Sequence, residues 1–184
     1  MAFIRIKKVK KWKYAYLVEN KWKEAKAKQK VKQYLGRVHS LENIAGKSFD
    51  KDISKMGFKG AIVELLKYEL LKSGFDEGKS GLEKGSLLVN FEKGHFLDGK
   101  KPVVLESNEG FICSSTFDKV MNFKKCKTEE ETGLRLAEAI LEAGISMPHD
   151  VFVKIFEKVH KLEMPKVEND VEKVYKQNTS EGTE

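Results

Sequence analysis

The chain has 184 residues, of which 40% are apolar and 34% charged, and a net charge of +7. That length suits one medium domain or a small module joined to a body, and the composition is that of a soluble protein, not a collagenous or disulfide-stapled one. No run approaches the roughly 18 apolar residues of a membrane span, charges interrupt residues 1–9 where a signal peptide would need its apolar core, and the lone cysteines Cys113 and Cys126 have no close-paired spacing, so a reducing, cytoplasmic setting is expected.

The charge is unevenly placed. Residues 1–40 hold thirteen Lys or Arg against Glu19 and Glu24, whereas the remainder holds 22 basic and 26 acidic residues. A basic front on a mildly acidic body points to a polyanionic partner, because clustered cations raise the local potential. The chain divides accordingly into a basic β module (1–40), an α+β body (41–164) and a polar tail (165–184).

Within the module, Phe3 to Val9 sets Ile4 and Ile6 against Arg5 and Lys7, the period-two pattern of a strand. Lys10 and Lys11 link it to a second strand, where Trp12, Tyr14, Tyr16 and Val18 alternate with Lys13, Ala15, Leu17 and Glu19. A turn around Asn20 to Glu24 leads to the third strand. There Ala25, Ala27, Gln29, Val31, Gln33 and Leu35 share one face, Lys26, Lys28, Lys30 and Lys32 share the other, and Gly36 ends the run. Lysines two apart stand about 7 Å from one another, a spacing suited to following phosphates. A three-stranded antiparallel sheet this small must be covered on one face. The face with Ala25, Ala27 and Val31 is expected to be covered by the body or by a helix after Ser40, leaving the lysines wet. Trp12, Tyr14 and Tyr16 are either stacking platforms for bases or the packed side of the sheet. Lysines on an exposed strand also guard against aggregation, the plain alternative to binding.

Tyr14-Ala15-Tyr16-Leu17-Val18-Glu19-Asn20, followed by Gln29-Lys30-Val31-Lys32-Gln33-Tyr34-Leu35-Gly36, resembles the N-terminal strand segment of insertion-sequence (DDE-type) transposases. The resemblance covers residues 3–38. It implies a DNA-facing strand module without the family's RNase H-like catalytic domain, for whose three metal-binding acids no counterpart is found. Where the family often carries Gly-Lys-Val-Arg-Gln, this chain has Ala27-Lys28-Gln29-Lys30-Val31, a shifted and lysine-biased match.

In the body, Ser40 to Gly46 and Gly60 to Ser73 read as helices, the second with Ile62, Leu65, Leu66, Leu70 and Leu71 as its core stripe and Gly74 as its stop. Gly74 to Gly85 reads as an exposed loop. Ser86 to Phe91 and Pro102 to Leu105 read as strands, and Ser107 to Gly110 as a turn returning through Phe111 to Cys113. Phe117 to Phe123 is a short helix capped by Ser115 or Thr116. Thr128 to Glu131 is a capping box opening a helix with Leu134, Leu136, Ala137, Ile140 and Leu141, stopped by Gly144. Pro148 opens a last helix with Phe152, Ile155, Phe156, Val159 and Leu162, and these two helices form a hairpin. Val167, Val171 and Val174 keep helical spacing, while Gln177 to Glu184 has the composition of a disordered end. The fold class is α+β with helices on one side of the sheet.

Catalytic signatures are weak. Gly78-Lys79-Ser80 lacks the spacing, the preceding strand and the charge balance of a phosphate loop. Cys113 sits in an apolar strand as an inert thiol, and His149-Asp150 suits a first helical turn better than acid–base work. Cys113, Cys126, His95, His149 and His160 are too scattered for a metal site, and no cofactor fingerprint occurs. The expected function is therefore non-enzymatic binding of duplex DNA by Lys26, Lys28, Lys30, Lys32, Lys13 and Arg37, with Trp12, Tyr14 and Tyr16 alongside and Gln29, Gln33 or Arg37 as base readers; the body supplies protein contacts or self-association. An RNA-binding or ribosome-associated factor is the second reading. An enzyme with its site near residues 74–110, using His95, Asp98 or Glu106, is the third; carboxylate pairs such as Asp98 with Glu106, or Asp118 with Glu129 to Glu131, belong to it.

Overall fold

The computed structural model describes residues 2–23, 26–42 and 49–161, with the backbone alone at 22, 23, 26 and 27. The fold is α+β. Three long strands, β1 (Ala2–Val9), β2 (Trp12–Lys23) and β3 (Lys26–Ser40), precede helix α1 (Phe58–Lys72). Strands β4 (Asp76–Gly78), β5 (Gly81–Lys84), β6 (Leu87–Asn90), β7 (His95–Asp98), β8 (Lys101–Glu106) and β9 (Phe111–Ile112) follow, and then helices α2 (Ser114–Met121), α3 (Glu129–Glu142) and α4 (His149–His160).

One sheet runs through the molecule in the order β1-β2-β3-β8-β7-β6-β5-β4, with β9 beside β8. The join between the basic strands and the body is parallel, Arg37 to Ser40 of β3 lying along Val103 to Glu106 of β8. A parallel neighbour needs a crossover, which α1 and the antiparallel β4–β7 meander supply. Gly36 makes the join possible. Its φ of +131° favours glycine, and a Cβ there would lie 2.2 Å from the Pro102 carbonyl oxygen, so the strand passes this residue and continues to Ser40 instead of ending at it.

The pleat of β8 divides the core. Val103 and Leu105 point into the main cluster, with Ile62, Leu65, Leu66 and Leu70 of α1, Leu136 and Ile140 of α3, and Ile155 and Val159 of α4. Val104 points the other way, into a smaller cluster with Ala15, Leu35, Val38 and Cys113, against which Ile4, Ile6, Leu17 and Phe111 pack. A strand buried on both faces reads as an unbroken apolar run, as Val103-Val104-Leu105 does.

Several boundaries differ from the sequence reading. Gly74 to Gly85 is not a loop: β4 and β5 form a hairpin there, too polar and glycine-rich to announce itself by alternation. Strand β7, absent from the reading, is only four residues long and has just Phe96 fully buried. Helix α2 begins at Ser114 with Cys113 as its N-cap; Thr116 lies in the first turn, where its Oγ1 accepts from the Cys113 backbone N–H at 3.2 Å. Thr128 caps α3, accepting from the Glu131 N–H at 3.2 Å, but the Glu131 carboxylate reaches forward to Arg135 Nε at 3.0 Å instead of back to the cap. Leu71, Leu134 and Leu141, assigned to core stripes, are exposed because each helix offers the core a stripe too narrow to include them. The α3–α4 hairpin is present, with Glu129 Oε1 3.8 Å from His160 Nδ1 and Phe156 beside Gly133. Ser40 closes β3 instead of starting a helix. Leu41 and Glu42 are not helical either, the Leu41 N–H donating to the Glu106 carbonyl at 2.7 Å; residues 43–46 of that expected helix, Glu24 of the expected turn, Ala25 of the expected third strand, Leu162 and the tail beyond it lie outside the described residues.

Candidate nucleic-acid interface

The β1–β2 hairpin closes on Lys10 and Lys11, with Lys10 at a φ of +54° and Val9 opposite Trp12. The alternation read from the sequence then assigns the side chains of Trp12 to Glu19 on β2 to a face. Ala15 and Leu17 turn toward the small core, with Ile6 and Ile4 opposite them on β1. Tyr14, Tyr16 and Val18 turn the other way, opposite Lys7, Arg5 and Phe3. The open question about the aromatic row is thus resolved: small and aliphatic residues form the packed side, and the aromatics form the outer one. Val18, paired with Phe3 and Val31, is buried on that side.

Strand β3 departs from simple alternation. Tyr16 pairs with Tyr34, Leu17 with Gln33 and Val18 with Val31, so Lys32 and Leu35 are extra residues in two bulges. Each bulge shifts the phase of the strand. Lys28, Lys30 and Lys32, then Gln33, Leu35 and Val38, all fall on the side of the small core, while Gln29, Val31, Tyr34 and Arg37 fall on the aromatic side. The expected covered face is therefore corrected. Val31 is 58% exposed, and the body packs on the face that carries the lysines.

The lysines escape burial by position along the strand. Beyond the Ala2–Glu19 pairing β1 has ended, and the pairing to β8 starts only at Arg37, so β2 and β3 run on as a two-stranded ribbon from Asn20–Gln29 to Lys23–Lys26. The turn expected at Asn20 to Lys23 is strand. Lys21 lies directly opposite Lys28, and Lys23 opposite Lys26. Like charges facing across a ladder destabilise it. The described Lys21, Lys28 and Lys30 are exposed and have no carboxylate within ion-pair distance among the described residues. Lys32 is the exception, held by Glu19 at 3.2 Å; that hydrogen bond and charge draw the Glu19 carboxyl below its ordinary range. Lys13 is also engaged, its Nζ 2.8 Å from Glu106 Oε2, which accepts from Ser40 Oγ at 2.8 Å as well, and these contacts depress Glu106.

On the outer face Arg37 is fixed from three sides. Its guanidinium lies 4.2 Å from the Trp12 ring centre, Nη2 is 3.3 Å from Asp98 Oδ2, and Nε donates to His39 Nε2 at 3.0 Å. His39 Nε2 is also 3.1 Å from Asp98 Oδ2. The two contacts of Nε2 are alternatives: bare, it accepts from Arg37; protonated, it donates to Asp98. Ser86 Oγ donates to Asp98 Oδ1 at 2.6 Å, and that bond, with the charges of His39 and Arg37, holds the Asp98 carboxyl low. Tyr34 packs against Tyr16 and Tyr14 with ring centres 5.4 and 6.4 Å away; partial burial, then these neighbours, push its phenol up. Arg5 donates to Gln29 Oε1 across the same face.

The predicted residues thus fall into two sets. Trp12, Tyr14, Tyr16, Gln29 and Arg37 share the outer face; Lys13, Lys28, Lys30, Lys32 and Gln33 share the other, and Lys26 is described only by its backbone pairing with Lys23. Lys21, Arg5 and Tyr34 were missed. Lys21 was hidden by the assigned turn, and Tyr34 by a bulge that alternation does not register.

His95, Asp98 and Glu106, the residues of the enzymatic reading, do not converge on one site. His95 and Asp98 occupy opposite ends of β7, Asp98 pairs with Lys101, and Glu106 lies at the far end of β8 with Lys13 and Ser40. Gly78 to Gly81 is the tight turn between β4 and β5. Cys113 is buried, which raises its thiol pKa. No group of three or more potential metal ligands occurs among the described residues, and no helix there is long and apolar enough to cross a membrane. Comparison with models of protein families, with curated proteins and with solved structures returns no match.

Proposed function

We propose that this chain is a non-enzymatic nucleic-acid-binding protein that grips the phosphates of duplex DNA with the β2–β3 ribbon. The observation that carries the proposal is the opposition of the exposed Lys21 and Lys28 on a ribbon that projects past its neighbours, where the backbone also pairs position 23 with position 26. Ammonium groups placed opposite one another weaken the ladder, whereas a polyanion between them turns repulsion into attraction. A two-stranded ribbon also has the width that a major groove admits. The likeness of residues 3–38 to a transposase strand segment supports the same reading. Lysine contacts position without reading bases, so sequence preference is weak except where Gln33 reaches a base edge.

The test is titration of the full chain with duplex DNA, duplex RNA and single strands across salt. Affinity for duplex DNA that falls steeply with salt is expected; a salt-independent or undetectable interaction leaves the ribbon as a guard against aggregation and ends the proposal. Removing residues 1–40 is unsuitable as a control, because it strips β3 from β8 and uncovers Val104 and Cys113.

A further inference from the structure

The outer face of the same three strands has a chemistry that phosphate binding does not use. Resting on the reading of this module as a nucleic-acid binder, we infer that the face built from Trp12, Tyr34 and Arg37 is a stacking platform for unpaired bases, so that the protein holds single-stranded nucleic acid there separately from duplex on the ribbon.

Four observations carry this inference. Trp12 and Tyr34 are 41% and 45% exposed, although a sheet with an available core normally buries such rings. The face is free of repulsion for an anion: Glu19, the one described acid of β1–β3, lies on the opposite side, and the nearby Asp98 is already engaged by Arg37 and Ser86. Cations are built in. Arg5 and Lys7 flank the tyrosines, Lys11 Nζ stands 5.1 Å from the Trp12 ring centre, and Arg37 is held over that ring by its bonds to Asp98 and His39. A planar guanidinium fixed beside an indole offers a base two π-compatible surfaces at little cost in ordering.

The fourth observation is spacing. Tyr34 stands across from Tyr16, its ring centre 5.4 Å from that ring, and along β2 Trp12, Tyr14 and Tyr16 sit two residues apart, a backbone step of about 7 Å. That is about twice the 3.4 Å rise per nucleotide of a duplex strand. Stacked bases in a helix cannot meet such a row, whereas the splayed bases of a single strand can. Lys11 is a flexible, exposed side chain and leaves the indole when a base arrives.

The experiment uses the full chain with Trp22→Phe, which leaves Trp12 as the sole tryptophan. The probes are an oligothymidylate and a duplex of the same length. Quenching of Trp12 fluorescence by the oligothymidylate but not by the duplex is expected. In the wild-type chain, Trp12→Ala or Tyr34→Ala should each weaken single-strand binding about five- to 150-fold while duplex affinity stays within about twofold, and Trp12→Phe or Tyr34→Phe should restore most of the loss. Both rings are exposed, so these variants keep the core. Unchanged single-strand affinity, or equal losses for both probes, overturns the platform. Neutralising Lys21, Lys28 and Lys30 separates the two ideas: loss of all binding there, with no effect of the aromatic variants, refutes the platform alone, whereas no binding of either probe by the unaltered chain refutes both.

Discussion

Replacing Lys21, Lys28 and Lys30 together by Gln keeps an unbranched polar side chain and removes charge from exposed positions, so it tests the ribbon without touching either core. If the five lysines carried by the ribbon strands, Lys21, Lys23, Lys26, Lys28 and Lys30, each neutralise one phosphate, log K falls against log salt with a slope of about −4.5, because each contact contributes about 0.9. The variant retains two contacts and a slope of about −1.8. Raising salt from about 50 to 200 mM then weakens the parent about 500-fold and the variant only about 12-fold. Stability should move the other way. Relief of the Lys21–Lys28 opposition is expected to stabilise the free protein by up to about 1 kcal/mol in urea denaturation. Weaker binding with an unchanged or improved fold is the signature of a charge arrangement kept for a partner. Salt slopes that differ by less than about one, or a variant that unfolds more readily, would refute the reasoning.

Gly36→Ala should cost at least about 3 kcal/mol, since the new methyl meets the Pro102 carbonyl at a φ that side chains avoid; a denaturation midpoint close to the parent's would contradict the account of the β3–β8 join. Leu136→Ala should cost about 2–5 kcal/mol and the 63%-exposed Leu134→Ala under about 0.5, so equal losses would show the α3 stripe to be misassigned. Burial raises the Cys113 thiol, so a thiol reagent at neutral pH should modify Cys126 promptly and Cys113 only on unfolding; simultaneous reaction of both counts against the small core. Asp98 is held below its ordinary value, which means that its ion cluster stabilises fully above the unfolded value near about 3.9 and loses this as pH falls through the lower folded value. Asp98→Asn should therefore flatten the stability curve below about pH 4, and superimposable acid limbs would dismiss the cluster's role.

Local sequence determined the elements whose signals are local. The alternation Ile4-Arg5-Ile6-Lys7 and Trp12 to Glu19 set which side chains share a face, because a strand's period is two whatever it packs against. The stripe of α1, the Thr128 cap and the Gly144 stop likewise depend on neighbours within a few residues. The concentration of lysines in residues 1–40 was also legible, since charge is counted and not folded. Tertiary structure alone decided which face of the module is covered. Two bulges in β3 reset its phase, and the parallel join at Gly36 brought the body onto the side of Leu35 and Val38, leaving the aromatics outside and the lysines on a ribbon beyond the body's reach. Alternation carries no information about which of two faces meets a distant strand, since that choice rests on contacts between residues some sixty-five positions apart, as between Val38 and Val104. The gathering of Arg37, His39, Ser86 and Asp98 has the same origin: β3 and β7 both flank β8, and only the order of strands in the sheet makes them neighbours.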